Sequence, residues 1–165
     1  MKQPSAIVAI LAVVALVITG TIFIQMSDQK TSTHRQEFAL KPNDPGVRRL
    51  GQDIYREHCA ACHGRFRQGQ RDWRKRRGDG RLPAPPHDEY GHTWHHPDHI
   101  LFAITKFGPA AVIGDPSYPS DMPAYEDILT DEEIIAVLSF IKSRWPENIK
   151  DRHDQIQKAA DQNDP

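Results

Sequence analysis

The chain has 165 residues, of which 38% are apolar and 26% charged, with a net charge of −1. That length accommodates one ordinary domain with appendages and leaves little room for two separate cores. The near-neutral balance excludes the global positive field that nucleic-acid-binding domains carry.

The apolar residues are unevenly spread. Residues 3–27 contain no charged side chain, and sixteen of the 63 apolar residues fall within 6–24. Twenty helical residues rise about 30 Å, the thickness of a bilayer's hydrocarbon core. A cleaved signal peptide is the rival reading, but the apolar run continues past Thr19-Gly20-Thr21 into Ile22-Phe23-Ile24, and no Ala-x-Ala site comes after it. Residues 1–26 are therefore expected to be an N-terminal transmembrane anchor. Charge leaves its orientation open, because Lys2 and the amino terminus oppose Lys30 and Arg35. Residues 27–44, ending in Lys41-Pro42-Asn43-Asp44, read as a linker.

Beyond the anchor the helical signals come in threes. Asp44 is placed as N-cap with Pro45 at the first helical position, and Val47, Leu50, Gly51, Ile54 and Tyr55 recur on one face. A second helix starts at Pro97-Asp98, presents Ile100, Leu101, Ile104 and Phe107, and is expected to stop at Gly108-Pro109. In the third, Thr130 and Glu133 form a capping box, and Ile134, Val137, Leu138, Ile141 and Trp145 continue until Pro146. No run alternates convincingly, so strands are expected to be minor or absent. Residues 147–165 are polar apart from isolated apolar positions such as Ile149 and Ile156, and read as a frayed helix or disordered tail.

Outside 6–24 only about 32% of residues are apolar, and between 64 and 99 only six of 36 are. Either something other than side chains fills the middle of the fold, or much of it is disordered.

The two cysteines stand in Cys59-Ala60-Ala61-Cys62-His63. On a helical turn this spacing directs two sulfurs and an imidazole to one side, the requirement for a covalent c-type haem with an axial histidine. A thioredoxin-like dithiol would want a βαβ context, which is missing. A zinc site could recruit His92 and His96, but 29 residues separate Cys62 from His92 and no second cysteine pair exists. One covalent haem c also accounts for the apolar shortage, since the macrocycle itself becomes core. Its attachment takes place outside the cytoplasm, which orients the anchor: N-terminus cytoplasmic, haem domain on the periplasmic side of the bacterial inner membrane.

Met122, in Asp121-Met122-Pro123, is the only methionine beyond Met26 and is the candidate second iron ligand. A thioether raises the potential relative to a second histidine. Two strong axial ligands leave no open coordination position, so an electron carrier is expected rather than an enzyme, with no small-molecule substrate.

Over roughly 44–146 the chain resembles the class I c-type cytochromes, the monohaem and membrane-anchored members included, with Cys59-x-x-Cys62-His63, Met122-Pro123 and the last helix in the family's order. The resemblance implies an all-α, cytochrome c-like haem-wrapping domain over 45–146, preceded here by one N-terminal transmembrane helix. It implies that Gly51 and Tyr55 of the first helix meet Val137 and Phe140 of the last, with Gly51 permitting a close backbone approach. It further implies a proline carbonyl, of Pro85 or Pro86, accepting the Nδ1 proton of His63, and the Trp94 indole serving a haem propionate.

Two segments depart from the simplest family pattern. Residues 65–81, from Arg65 to Arg81, carry eight basic side chains against Asp72 and Asp79. This run reads as a solvated face, a docking surface for an acidic redox partner, or a contact for anionic lipid. Five histidines, His87, His92, His95, His96 and His99, fall within 13 residues; copper or zinc binding, or replacement of Met122 on the iron, are their sharper readings. The expectation is a membrane-anchored cytochrome passing single electrons between respiratory redox partners, with no nucleic acid involved. The alternatives are a haem subunit of a larger membrane oxidoreductase and a copper-handling or sensory haem module built on the histidine cluster.

Overall fold

The computed structural model describes residues 38–163 and, further upstream, Leu16, Ile18, Thr19 and Thr21, which are helical and exposed. The anchor expected over 1–26 otherwise lies outside the described residues, and among the described residues no helix is long and apolar enough to cross a membrane.

Helix α1 (Pro45–Ile54) begins as its sequence demands: Asp44 Oδ1 accepts from the amides of Gly46 at 2.8 Å and Val47 at 3.0 Å. It runs without a break through a π-helical turn (Tyr55–Cys59) into α2 (Ala60–His63). The extra residue of a π turn widens the helix and rotates the next turn, here the cysteine-histidine segment. A 3₁₀ turn (Thr93–His95) precedes α3 (Asp98–Ile113). The stop expected at Gly108-Pro109 is a break and a restart. Gly108 leaves helical geometry (φ 81, ψ 159), Pro109 then opens a last stretch to Ile113, and left-handed Gly114 closes it. A proline at a first helical position loses nothing, which is why the chain resumes. Helix α4 (Asp131–Ser143) carries the expected capping box, and α5 (Glu147–Asn163) comes after Pro146. Among the described residues there is no strand.

The core is α4 and the elements that close around it. From Ile134 through Lys142 every residue of α4 is buried, and Ile54, Tyr55, Leu101, Phe102, Tyr125 and Leu129 pack with it. Helix α1 crosses α4 at Gly51, where an added Cβ would stand 1.9 Å from the Ala136 carbonyl oxygen and 2.9 Å from Phe140 Cβ. The crossing is the one expected, with Ala136 rather than Val137 under the glycine, and the rings of Tyr55 and Phe140 meet at 5.6 Å.

The folded unit is longer than 45–146 at both ends. Upstream, Phe38 packs on Phe102 at 4.5 Å, the Leu40 amide donates to Asp98 Oδ2 at 3.0 Å, and the Lys41 amide donates to Ser139 Oγ at 2.9 Å. Downstream, the segment expected as a frayed or disordered tail is α5, with Ile149 buried and His153 fully enclosed. His153 Nε2 lies 3.4 Å from Asp98 Oδ1, Gln157 Oε1 accepts from the Asp98 amide at 2.7 Å, and Lys142 Nζ pairs with Asp154 at 2.6 Å. Burial, reinforced by Lys142, pushes the His153 imidazole below the usual histidine range, so it packs as a neutral ring. Ile149, His153 and Gln157 at four-residue spacing form a docking face that an apolar-only pattern overlooks.

The crossing sets a first expectation. Gly51→Ala must force the two helix backbones apart, so it should lower the unfolding free energy by about 3 kcal/mol, a large value for one methyl group. Denaturant unfolding followed by far-ultraviolet circular dichroism measures this; a loss below about 0.5 kcal/mol, the range of neutral surface changes, would mean that the contact is not tight.

Candidate cofactor site

The continuous helix from Pro45 to His63 carries the three chemistry-bearing residues at its C-terminal end. Cys59 is half-buried and packs on the core beside Ala60, Cys62 is exposed, and both thiols are free. Burial, with Cys62 as the second cause, pushes the Cys59 thiol up to about 12. A thiol held so firmly neutral is unsuited to disulfide exchange, which requires a thiolate.

His63 ends α2 and is buried. Its Nδ1 lies 2.8 Å from the Pro85 carbonyl oxygen, which can only accept, so Nδ1 carries the proton and Nε2 holds the free lone pair. Burial lowers the imidazole's pKa and keeps the ring neutral. Of the two prolines, Pro85 is the acceptor. The Pro86 carbonyl lies instead against Gly91, where an added Cβ would meet its oxygen.

Glycine also sets the position of that proline segment. Gly69 (φ 68) lies so close that a Cβ would be 2.5 Å from Pro86 N and 2.7 Å from the Pro85 carbonyl carbon. The Gly69 amide donates to the His63 carbonyl, the Gln70 amide to the Ala84 carbonyl and the His87 amide to the Arg67 carbonyl, each at 2.8 Å. His87 then stacks on His63 with ring centroids 4.0 Å apart and places its Nδ1 2.6 Å from Thr93 Oγ1. The His87 carbonyl accepts from the Trp145 indole at 2.8 Å. Composition counted His87 as one of five clustered histidines and Trp145 as an apolar helix position. Their joint role behind His63 emerges only when α4 and the proline segment are brought together.

Met122 is half-buried against the same core as Cys59, and its amide donates to Ser120 Oγ at 3.0 Å. Tyr125, three residues on, joins this loop to the cysteine helix: its hydroxyl donates to the His58 carbonyl at 2.8 Å. Burial and the neighbouring Cys59 and Cys62 raise its phenol to about 12, which keeps the donor proton in place. The Trp94 indole, expected to serve a propionate, gives its N–H to the Glu89 carbonyl at 3.2 Å and stacks on His95 at 3.6 Å.

The residues present fit a covalently held c-type haem. Two free thiols at the required spacing, a neutral histidine with a fixed tautomer and a half-buried thioether are the donor set that group takes. The histidine cluster fits a second metal less well. Among the described residues no three of His, Cys, Asp and Glu converge as ligands.

A family model described as cytochrome c matches residues 49–145. No curated protein and no solved structure matches the chain.

A second expectation concerns the Pro85 carbonyl. Gly69→Ala pushes a methyl group into the proline segment, weakens the Nδ1 bond and makes His63 a poorer electron donor, so the reduction potential should rise. Gly78→Ala, in the same loop with nothing within 4 Å of the new atom, is the control. Redox titration of both variants tests this; equal potentials would show that the bond does not tune the iron.

Proposed function

The chain belongs to the cytochrome c family, and from that premise we propose that it is a membrane-anchored, extracytoplasmic monohaem carrier of single electrons between respiratory redox proteins. The family's covalently bound haem c makes the chain a haem-based electron-transfer protein. The group supplies one chemistry, the Fe(III)/Fe(II) couple; the remainder is done by the chain's own residues.

Cys59 and Cys62 are the covalent attachment points, and with a single cysteine pair there is one such site. His63, its tautomer set by Pro85, is the proximal ligand, and Met122 is the distal one. The observation that carries this reading is the 2.8 Å contact between His63 Nδ1 and the Pro85 carbonyl, which leaves Nε2 as the only donor the ring can offer. Residues 1–26 are the anchor on sequence grounds, and periplasmic placement rests on the compartment in which c-type haem is attached.

The basic segment supports docking to an acidic partner, with fewer free charges than its sequence suggests. Arg77 and Arg81 pair with Asp121, and Arg67 is half-buried beside Phe140. Arg71, 96% exposed, and Lys75 help wall an open concavity of about 350 Å³ that Arg76 and Arg77 complete. Complementary charge of this kind accelerates encounter more than it tightens the complex.

Membranes from a haem-maturing bacterial host expressing the full chain should show a c-type alkaline pyridine spectrum. Absence of that spectrum overturns the haem assignment, and its recovery in the soluble fraction overturns the anchor. Met122→His should remove the methionine-to-ferric-iron charge-transfer band and lower the potential; an unchanged band removes Met122 from the iron. For docking, Arg71→Gln with Lys75→Gln should slow electron transfer with a small acidic redox protein by about tenfold at low salt and leave a neutral partner unaffected. Equal slowing with both partners would exclude a charge-steered surface.

A further inference from the structure

The segment 65–84 departs from the simplest family pattern, and its arginines do more than face solvent. It starts at the proximal side, where Gly69 donates to the His63 carbonyl and Gln70 bonds to Ala84. Its far end reaches the loop that carries Met122. There Asp121, the residue before the methionine, is gripped on both oxygens: Arg77 Nη1 lies 3.2 Å from Oδ2 and Arg81 Nε lies 3.0 Å from Oδ1.

Neither arginine is held by that carboxylate alone. The Arg77 amide donates to the Arg81 carbonyl at 2.9 Å and the Gly80 amide to the Arg77 carbonyl at 3.0 Å, closing a tight turn between them. Asp79 bonds Arg81 twice, through its amide at 3.0 Å and its guanidinium at 3.3 Å. The same turn touches the methionine loop at two further points. Arg76 sits 5.3 Å over the Tyr118 ring while donating to the Gly80 carbonyl at 2.6 Å, and Gly80 lies against Pro119.

We infer that Arg77 and Arg81, acting through Asp121, are positioning residues that hold the loop 115–123 so that the Met122 thioether stays on the iron. The inference rests on the reading of Met122 as distal ligand. The loop has few restraints of its own. The Asp115 carboxylate bonds Ser117, and the Tyr118 amide bonds the Asp115 carbonyl. Ser120 caps the Met122 amide, and the next anchor is Tyr125 on the His58 carbonyl. Methionine is a weak ligand, so its retention depends on how long the loop stays closed. One strap that begins at the proximal histidine and ends beside the distal methionine restrains both sides with the same segment of chain.

The test uses the full-length holoprotein. Arg77→Gln with Arg81→Gln, and separately Asp121→Asn, should retain far-ultraviolet helicity, raise amide exchange across 115–123, and bind exogenous imidazole at the ferric iron about three- to tenfold more tightly than the unaltered protein. Each exposed ion pair is worth about 1.4- to 5-fold, and the two together bracket that range. Arg65→Gln with Arg74→Gln removes the same charge without touching Asp121 and should change neither readout. Three outcomes overturn the proposal: strap variants matching the unaltered protein in exchange and imidazole affinity, control variants shifting equally, or an unaltered protein lacking the methionine charge-transfer band. Only the last of these also removes Met122 as a ligand.

Discussion

The close crossing at Gly51 is the constraint on which the remainder depends. With the Ala136 carbonyl under the glycine, α1 cannot slide or rotate on α4 without losing contact, and α1 is continuous with the cysteine-histidine helix. The position of Cys59, Cys62 and His63 is therefore set by a backbone contact several residues upstream. Tyr55 makes the relay explicit: its ring packs on Phe140 of α4 while its hydroxyl donates to the Gly64 carbonyl at 3.0 Å, just past His63. Burial of that hydroxyl raises the phenol's pKa, so it remains a donor.

From this fixed base the proximal side is organised as layers of neutral polar groups. His63 gives its one proton to Pro85, His87 stacks behind it, and Trp145 holds the His87 carbonyl. Burial, with the neighbouring His63 ring and the Arg67 guanidinium as further causes, pushes His87 well below the ordinary histidine range, so the two imidazoles stack as neutral rings. On the proposed reading of His63 as an iron ligand, this keeps the stacked neighbour from placing a second imidazolium against the ligand ring.

Much of this was legible in the sequence wherever a local rule decides the outcome. Asp44-Pro45 and Thr130 with Glu133 each act within one helical turn, and each stands where those rules place it. The parts that were not legible depend on tertiary partners. Helix α5 buries a histidine against Asp98, and no apolar count registers a polar side chain whose partner is 55 positions away in the chain. Phe38 and Leu40 belong to the folded unit because Phe102 and Asp98 receive them, which the turn-rich composition after them conceals. The histidine run read as one cluster because its members are adjacent in sequence. In the structure His87 turns inward to His63, while His95 and His96 stay beside His92 with ring centroids at 4.8 Å and His95 also stacks on Trp94.

The basic segment shows the same division most sharply. As a charge run it is a net +6 over 17 residues, and the simplest electrostatic reading assigns all of it to solvent or to a partner. Structure separates the charges by the groups they face. Arg77 and Arg81 share Asp121 at the methionine loop and Arg81 also pairs with Asp79, whereas Lys75 and Arg71, the latter 3.9 Å from Asp72, stand around an open concavity. On the proposed reading the segment restrains the Met122 loop through Arg77 and Arg81 and steers a partner through Arg71 and Lys75, with Arg77 lining the concavity as well as pairing with Asp121. The proposed docking surface and the proposed hold on Met122 therefore belong to one segment, whose Arg77 and Arg81 reach Asp121 while Arg71 and Lys75 face the concavity.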